Sequence, residues 1–204
     1  MADSSLPDFW DERYLSNTTP WDAGRAPDAL RRHLRDLPPG ARVLIPGCGS
    51  AYELYDLVEN GFDAWAIDFS APAVARARRN AGRFAERILE ADFFSFDYGR
   101  PFDVIYERAF LCALPRKMWQ AYATRSAELL KPSGVIAGFF FFDDNPKGPP
   151  FGTSPPELQR LLEPRFERVA DEAVSDSIRV FQGKERWQVW RRANEEEIVH
   201  EQST

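Results

Sequence analysis

Along this chain, short apolar runs of strand length alternate with stretches whose apolar residues recur at helical spacing, punctuated by Gly, Pro and Asp. Val43, Leu44 and Ile45 form the first run, which stops at Pro46-Gly47-Cys48-Gly49. Ala51 to Val58 then carries a helical pattern, Gly61 closes it, and Ala64 to Ile67 makes a second buried strand ending on Asp68. Ser70 is the N-cap, and Pro72 a first-turn residue, of a helix predicted to run to about Phe84. Strands follow at Arg87 to Ala91 and Pro101 to Tyr106. A helix over Lys117 to Leu130 is stopped by Lys131-Pro132-Ser133-Gly134, and Val135 to Phe142 is a fully apolar strand. Beyond a Pro/Gly-rich loop from Asp143 to Gly152 come a helix over Ser154 to Leu162 and strands at Phe166 to Val174 and Glu185 to Arg192. Near the start, Ala29 to Leu37 reads as a short amphipathic helix ended by Pro38-Pro39-Gly40. The order predicts an α/β domain of seven strands with helices on both sides.

The chemistry gathers at predicted strand ends. Gly47 and Gly49 let a ligand approach the first turn closely, and Asp68, 21 residues after Gly47, sits where a carboxylate can accept hydrogen bonds from ribose hydroxyls. The pattern implies an adenosine. A dinucleotide fingerprint needs glycine at position 52, where Tyr52 stands, so an NAD site is poorly supported. The bland alternative is a strand–helix turn of another α/β protein. Phe9, Trp10, Tyr14 and Trp21 crowd ahead of the first strand, either as a staple burying apolar area or as a lid over a cationic ligand. Asp92-Phe93-Phe94 ends the third strand, where Asp92 can meet an adenine amine and Phe93 its face, or both rings can be core. Glu107-Arg108 ends the fourth, as a surface ion pair or a binding element. Arg76, Arg78, Arg79 and Arg83 read as a solvated helix face, and His33 and His200 as structural or solvated. Cys112 reads as a packed thiol. Asp143 and Asp144 lack companions for a metal site.

Composition narrows the classes. At 204 residues, 44% hydrophobic and 28% charged, the chain suits one globular domain. It lacks an apolar run long enough to span a membrane, and MADSSLPDFW lacks the marks of a signal peptide, which predicts a cytoplasmic protein. Two cysteines do not suggest a disulfide framework. The net charge of −6 includes −4 from Glu195, Glu196, Glu197 and Glu201 in an acidic tail, residues 193–204, expected to be flexible. Without a basic stripe, nucleic acid is not the expected partner.

With those residues in view, the chain resembles the class I methyltransferases that use S-adenosylmethionine, and more narrowly the thiopurine methyltransferase family with its thiol and halide branch. FWDERY, TPWDAGRAP, VLIPGCGSAYE, AIDFS, EADFF, FDVIYERAFLCAL, LLKPSG and GPPF carry the resemblance, in order, from Phe9 to Phe151. It implies a Rossmann-like fold with a mostly parallel seven-stranded sheet, in one domain of residues 1–192 with an aromatic lid over about 8–37. It implies that Trp10, Tyr14 and Trp21 cover S-adenosylmethionine, that Gly47 and Gly49 pass its methionine part, and that Asp68 holds the ribose. Asp92 and Phe93 would contact the adenine, and Phe69 would belong to the cofactor site. Arg108 matches an arginine of thiopurine enzymes where halide enzymes carry tyrosine or valine, and Tyr14 stands where many members have tryptophan, so the substrate branch stays open.

The implied activity is in-line methyl transfer to a small molecule, a thiol or halide first, by a monomer or weak homo-oligomer without metal. Arg108 would position the acceptor, and no general base is evident. O- or N-methylation of a small metabolite and a non-catalytic adenosyl-binding scaffold are the alternatives.

Overall fold

A computed structural model describes residues 3–35 and 37–193. Strands β1 (Arg42–Pro46), β2 (Asp63–Asp68), β3 (Ile88–Glu90), β4 (Phe102–Arg108), β5 (Leu130–Phe141), β6 (Phe166–Ala173) and β7 (Glu185–Arg192) form one sheet in the order β3-β2-β1-β4-β5-β7-β6. The first five are parallel, and β7 runs antiparallel between β5 and β6. The helices are α1 (Pro7–Leu15), α2 (Asp28–Leu34), α3 (Tyr52–Glu59), α4 (Ala71–Ala81), α5 (Trp119–Leu129) and α6 (Pro155–Leu162).

Alternation along each strand sends neighbouring side chains to opposite faces, which creates two cores. Val43, Ile45 and Val104 pack with Leu30 of α2, Leu54 and Leu57 of α3 and Val74 of α4. Leu44, Ile105 and Ile136 face the other way, onto Trp119 and Tyr122 of α5 and Leu158 and Leu162 of α6. The predicted seven strands, flanked on both faces, are therefore present. The connections leaving β1 and β4 diverge to opposite sides of the sheet, so a crevice opens at their carboxyl ends.

Several boundaries differ from the periodicity for local reasons. The helix expected to reach Phe84 ends at Ala81, because Gly82 turns at φ +54° and residues 82–87 tighten into 3₁₀ turns. β5 begins at Leu130 rather than Val135, since Leu130 pairs with Phe102 and an irregularity in the register absorbs the Pro-Ser-Gly stop. β3 is shorter than Arg87 to Ala91, and a 3₁₀ turn, Arg116–Met118, stands ahead of α5. The early helix spans Asp28–Leu34, not Ala29 to Leu37. Helix α1 has no amphipathic signature, as its buried residues, Phe9 and Tyr14, are five apart. All of the acidic tail beyond Ala193 lies outside the described residues.

Candidate active site

At the carboxyl ends of β1, β2 and β4 lies a cavity of about 330 Å³, and Trp10, Tyr14, Trp21, Gly47, Gly49, Asp68, Phe69, Asp92, Phe93 and Arg108 all line it. These ten candidates are thus brought to one place, whereas Phe9, Glu107, Asp143 and Asp144 lie outside the lining.

The floor is the glycine turn. Gly47 and Gly49 have φ of +54° and +53°, and a Cβ on Gly47 would stand 2.4 Å from Phe110 Cδ2, one on Gly49 2.6 Å from the Tyr14 hydroxyl. Glycine is needed here for both backbone and space. Asp68 ties the turn to the next element: Gly49 N–H donates to Oδ2 and Ser70 N–H to Oδ1, each at 3.0 Å. The carboxyl is 6% exposed, and burial pushes it up to about 6 despite these backbone donors. A carboxylate has about four lone-pair sites, so acceptor capacity remains for hydroxyls in the cavity.

The N-terminal segment forms the roof. Trp10 and Trp21 meet edge to face at 5.5 Å, Tyr14 and Trp21 at 6.1 Å, and Trp10 Nε1 donates to the Ser4 carbonyl at 2.8 Å. Phe9 is buried beneath the Arg13 guanidinium and does not line the cavity, so it is the staple, whereas the half-buried Trp10 and Trp21 border the opening. The roof is latched to α4 by Arg76, which donates to the Tyr14 carbonyl at 3.1 Å, Asn17 Oδ1 at 2.6 Å and Thr19 Oγ1 at 3.2 Å. Arg76 is therefore not part of a solvated face as its helical position suggests. Asp11 adds a second tie, accepting from Ser70 Oγ at 2.6 Å.

At the β3 side, Phe93 is 3% exposed and packs against Phe94, Phe110 and Tyr122, so it is core and cavity wall at once. Asp92 is exposed at the rim, its carboxylate accepting from Phe94 N–H and Ser95 Oγ of its own turn. Glu107 and Arg108 do not form the ion pair their adjacency suggested. Successive strand residues point to opposite faces, and Glu107 is buried away from Arg108, accepting from Phe110 N–H at 2.7 Å, Leu111 N–H at 3.0 Å and the Tyr122 hydroxyl at 2.8 Å. Burial nevertheless pushes its carboxyl up to about 7. It fixes the turn that carries Phe110. The Arg108 guanidinium lies 4.3 Å from the Phe139 ring centre and makes no ion pair among the described residues. Pro149 and Pro150 of the long loop complete that end.

Of the cavity residues without a signal in the sequence, Glu53, Tyr106 and Phe181 bear most on the wall. Glu53 sits in the first turn of α3, where an acidic residue reads as a partner of the helix dipole. Tyr106 reads as strand core, and Phe181 lies in a stretch without periodicity. The thiols of Cys48 and Cys112 also border the cavity, but burial raises both well above the ordinary cysteine range, which keeps them protonated. No group of three or more metal-ligating side chains occurs among the described residues, and no described helix is long and apolar enough to cross a membrane.

Comparison with known proteins decides the family. The profile of the thiopurine S-methyltransferase family matches residues 5–201. The chain belongs to this family. Its relatives include a probable thiol methyltransferase 2 of Arabidopsis thaliana, 29% identical over 91% of this chain and 85% of that protein. Thiocyanate methyltransferase 1 of the same plant is 30% identical over the same shares, and a thiopurine S-methyltransferase of Vibrio cholerae is 29% identical over 76% and 80%. Among solved structures, the 1,6-didemethyltoxoflavin-N1-methyltransferase of Burkholderia thailandensis, with S-adenosylhomocysteine bound, superposes with a TM-score of 0.75 at 22% identity, covering 93% of this chain and 88% of that one. This family member thus has the class I methyltransferase fold and is an S-adenosylmethionine-dependent methyltransferase. The cofactor fits the residues present: a side-chain-free glycine floor, a buried carboxylate with spare acceptor sites, and aromatic rings at the opening.

Proposed function

We propose that this enzyme methylates sulfur, transferring a methyl group to the thiol of a small acceptor, with halide-like anions as related substrates. The observation that carries the reading is Arg108, a half-buried cation on the cavity wall that makes no ion pair among the described residues, with the carboxyls of Glu53 and Glu185 in its field, which suits an acceptor that reacts as an anion. Relatives named as thiol, thiocyanate and thiopurine methyltransferases support it.

In this reading Asp68 accepts the ribose hydroxyls, Phe69 and Phe93 border the adenine, and Asp92 receives its amine at the rim. Gly47 and Gly49 admit the methionine part. Trp10, Tyr14 and Trp21 form the lid of a single domain, residues 1–192, over about 8–37. When bound, S-adenosylmethionine supplies a methyl group on a positively charged sulfur. The protein contributes position and dryness: Arg108 holds the anionic acceptor, the Phe110 wall limits its angles, and the aromatic roof keeps water from the reacting centre. A soluble monomer or weak homo-oligomer, acting in the cytoplasm on small molecules and not on nucleic acid, completes the proposal.

The test is methyl transfer from S-adenosylmethionine to a panel of thiols, halides, phenols and amines, with products identified by mass spectrometry. Methyl thioethers are expected, and Arg108→Ala should raise KM for an anionic thiol by about 10- to 100-fold, the worth of a charged hydrogen bond. Transfer confined to oxygen or nitrogen acceptors would overturn the reading.

A further inference from the structure

One buried carboxyl on the cavity wall has no task in cofactor binding. Glu53 is 7% exposed, lines the cavity and makes no ion pair among the described residues. The Tyr106 hydroxyl donates to its Oε1 at 3.4 Å, at the long limit of a hydrogen bond. Buried carboxylates are normally answered by several donors; beside Tyr106, Glu53 has its own backbone N–H, so acceptor capacity remains on the cavity wall. Burial pushes the carboxyl above its ordinary range, against its own backbone N–H and against Arg108 and Tyr106, both on β4, which favour the charged form; Asp22 of the N-terminal segment disfavours it further. The neighbouring Cys48 thiol and Glu185, which shares the field of Arg108, complete the charged and titratable surroundings.

We propose that Glu53 takes up the acceptor's proton, with Arg108 facing the sulfur from which it departs. The inference rests on the sulfur-methylation reading and adds to it the base that the sequence did not reveal. The S–H bond breaks with its proton passing to a Glu53 oxygen and its electron pair staying on sulfur. That pair forms the new carbon–sulfur bond, while the old bond from the methyl carbon to the donor sulfur breaks with its electrons left on a neutral thioether. The proton leaves Glu53 for water when the products depart. A carboxyl raised by burial matches a thiol, with a pKa of about 8.5, better than an ordinary carboxylate does. Tyr106 holds the carboxyl in orientation.

Two acceptors separate this role from a structural one: 2-mercaptoethanol, protonated at neutral pH, and 5-thio-2-nitrobenzoate, already a thiolate. kcat/KM would be measured for wild type, Glu53→Gln and Tyr106→Phe from pH 5 to 9, with S-adenosylhomocysteine affinity reporting that each variant folds. Glu53→Gln is expected to lower kcat/KM for 2-mercaptoethanol by about 100-fold or more and to remove its acidic limb, with a loss at least tenfold smaller for the thiolate. Tyr106→Phe is expected to move that limb to higher pH, since it removes a donor to the charged form. The ratio of the two acceptors cancels the titrations of Asp68 and Glu107. Equal losses on both acceptors, no loss on either, or a wild type that methylates only the thiolate would overturn the role of Glu53 while leaving sulfur methylation in place. A wild type that methylates neither, and no other thiol, refutes sulfur methylation itself and the inference with it.

Discussion

Replacing Asp68 by Asn keeps the shape of the side chain and removes its titration. In the folded protein burial holds the carboxyl at about 6, against about 3.9 in an unfolded chain. The folded state therefore binds this proton more tightly than the unfolded state. Its stabilising effect is complete below pH 4, is lost as pH rises to about 6, and changes little above. The gap amounts to about 3 kcal/mol over the whole window, of which about 2 kcal/mol falls between pH 4.5 and 7. At pH 7 a second term acts in opposition, because Asn keeps one acceptor oxygen and turns an NH₂ toward the other of the two N–H donors, Gly49 and Ser70. A hydrogen bond to a charged group is worth about 1.5–3 kcal/mol, so the net change at pH 7 is small and its slope with pH carries the information.

Urea unfolding of both proteins at pH 4.5, 5.5 and 7 measures that slope. The variant should gain about 2 kcal/mol on the wild type across the range. Glu107 titrates in both proteins and drops out of the difference. At pH 7, calorimetry with S-adenosylhomocysteine should show the variant binding about 10- to 100-fold more weakly, as ribose hydroxyls lose a charged acceptor. Stability curves that run parallel with pH would refute the buried, raised carboxyl, and unchanged affinity would remove Asp68 from the site.

Gly47→Ala places a Cβ against Phe110 at a left-handed φ, adding about 1–2 kcal/mol of backbone strain to about 1–3 kcal/mol of overpacking; a lower melting temperature and at least a tenfold loss of S-adenosylhomocysteine affinity are expected, and wild-type values for both would contradict the close floor. Arg76→Ala unlatches the roof, so limited proteolysis should cut ahead of residue 25 faster and KM for S-adenosylmethionine should rise about tenfold, the worth of a charged hydrogen bond, with kcat little changed. Proteolysis at the wild-type rate would show that ring packing alone holds the roof.

The parts legible in the sequence are those set by local rules. Strand alternation, glycine stops and the Ser70 cap gave seven strands and the turn at Gly47, because each depends on residues within a few positions. The candidate residues at strand ends converge on one cavity because parallel strands align their carboxyl ends. What sequence order hides is pairing across distance. Arg76 reads as solvent-facing until α1 lies against α4, and its partners are about sixty residues earlier. Glu107 and Arg108 read as a pair because they are adjacent, yet a strand separates neighbours by face. Glu53 reads as a helix-dipole partner because its cavity is built mostly from other elements.

Three buried carboxyls stand at this end of the sheet, and what answers each one sorts their roles. Glu107 accepts from two N–H groups and a tyrosine, and none of its atoms borders the main cavity, so its charge is spent on holding a turn. Asp68 accepts from two N–H groups but borders the cavity, so it both ties the glycine turn and offers its remaining lone pairs. Glu53 borders the cavity with one long bond from another residue, the Tyr106 hydroxyl, beside its own backbone N–H. Burial penalises the ionised form of all three; the carboxyls of Asp68 and Glu107 rise to about 6 and about 7, while at Glu53 its own backbone N–H and the nearby Arg108 oppose the rise. The carboxyl with fewest donors is the one best placed to exchange a proton with a ligand, so under the proposed roles holding, binding and proton uptake fall to separate carboxyls along one edge of the sheet.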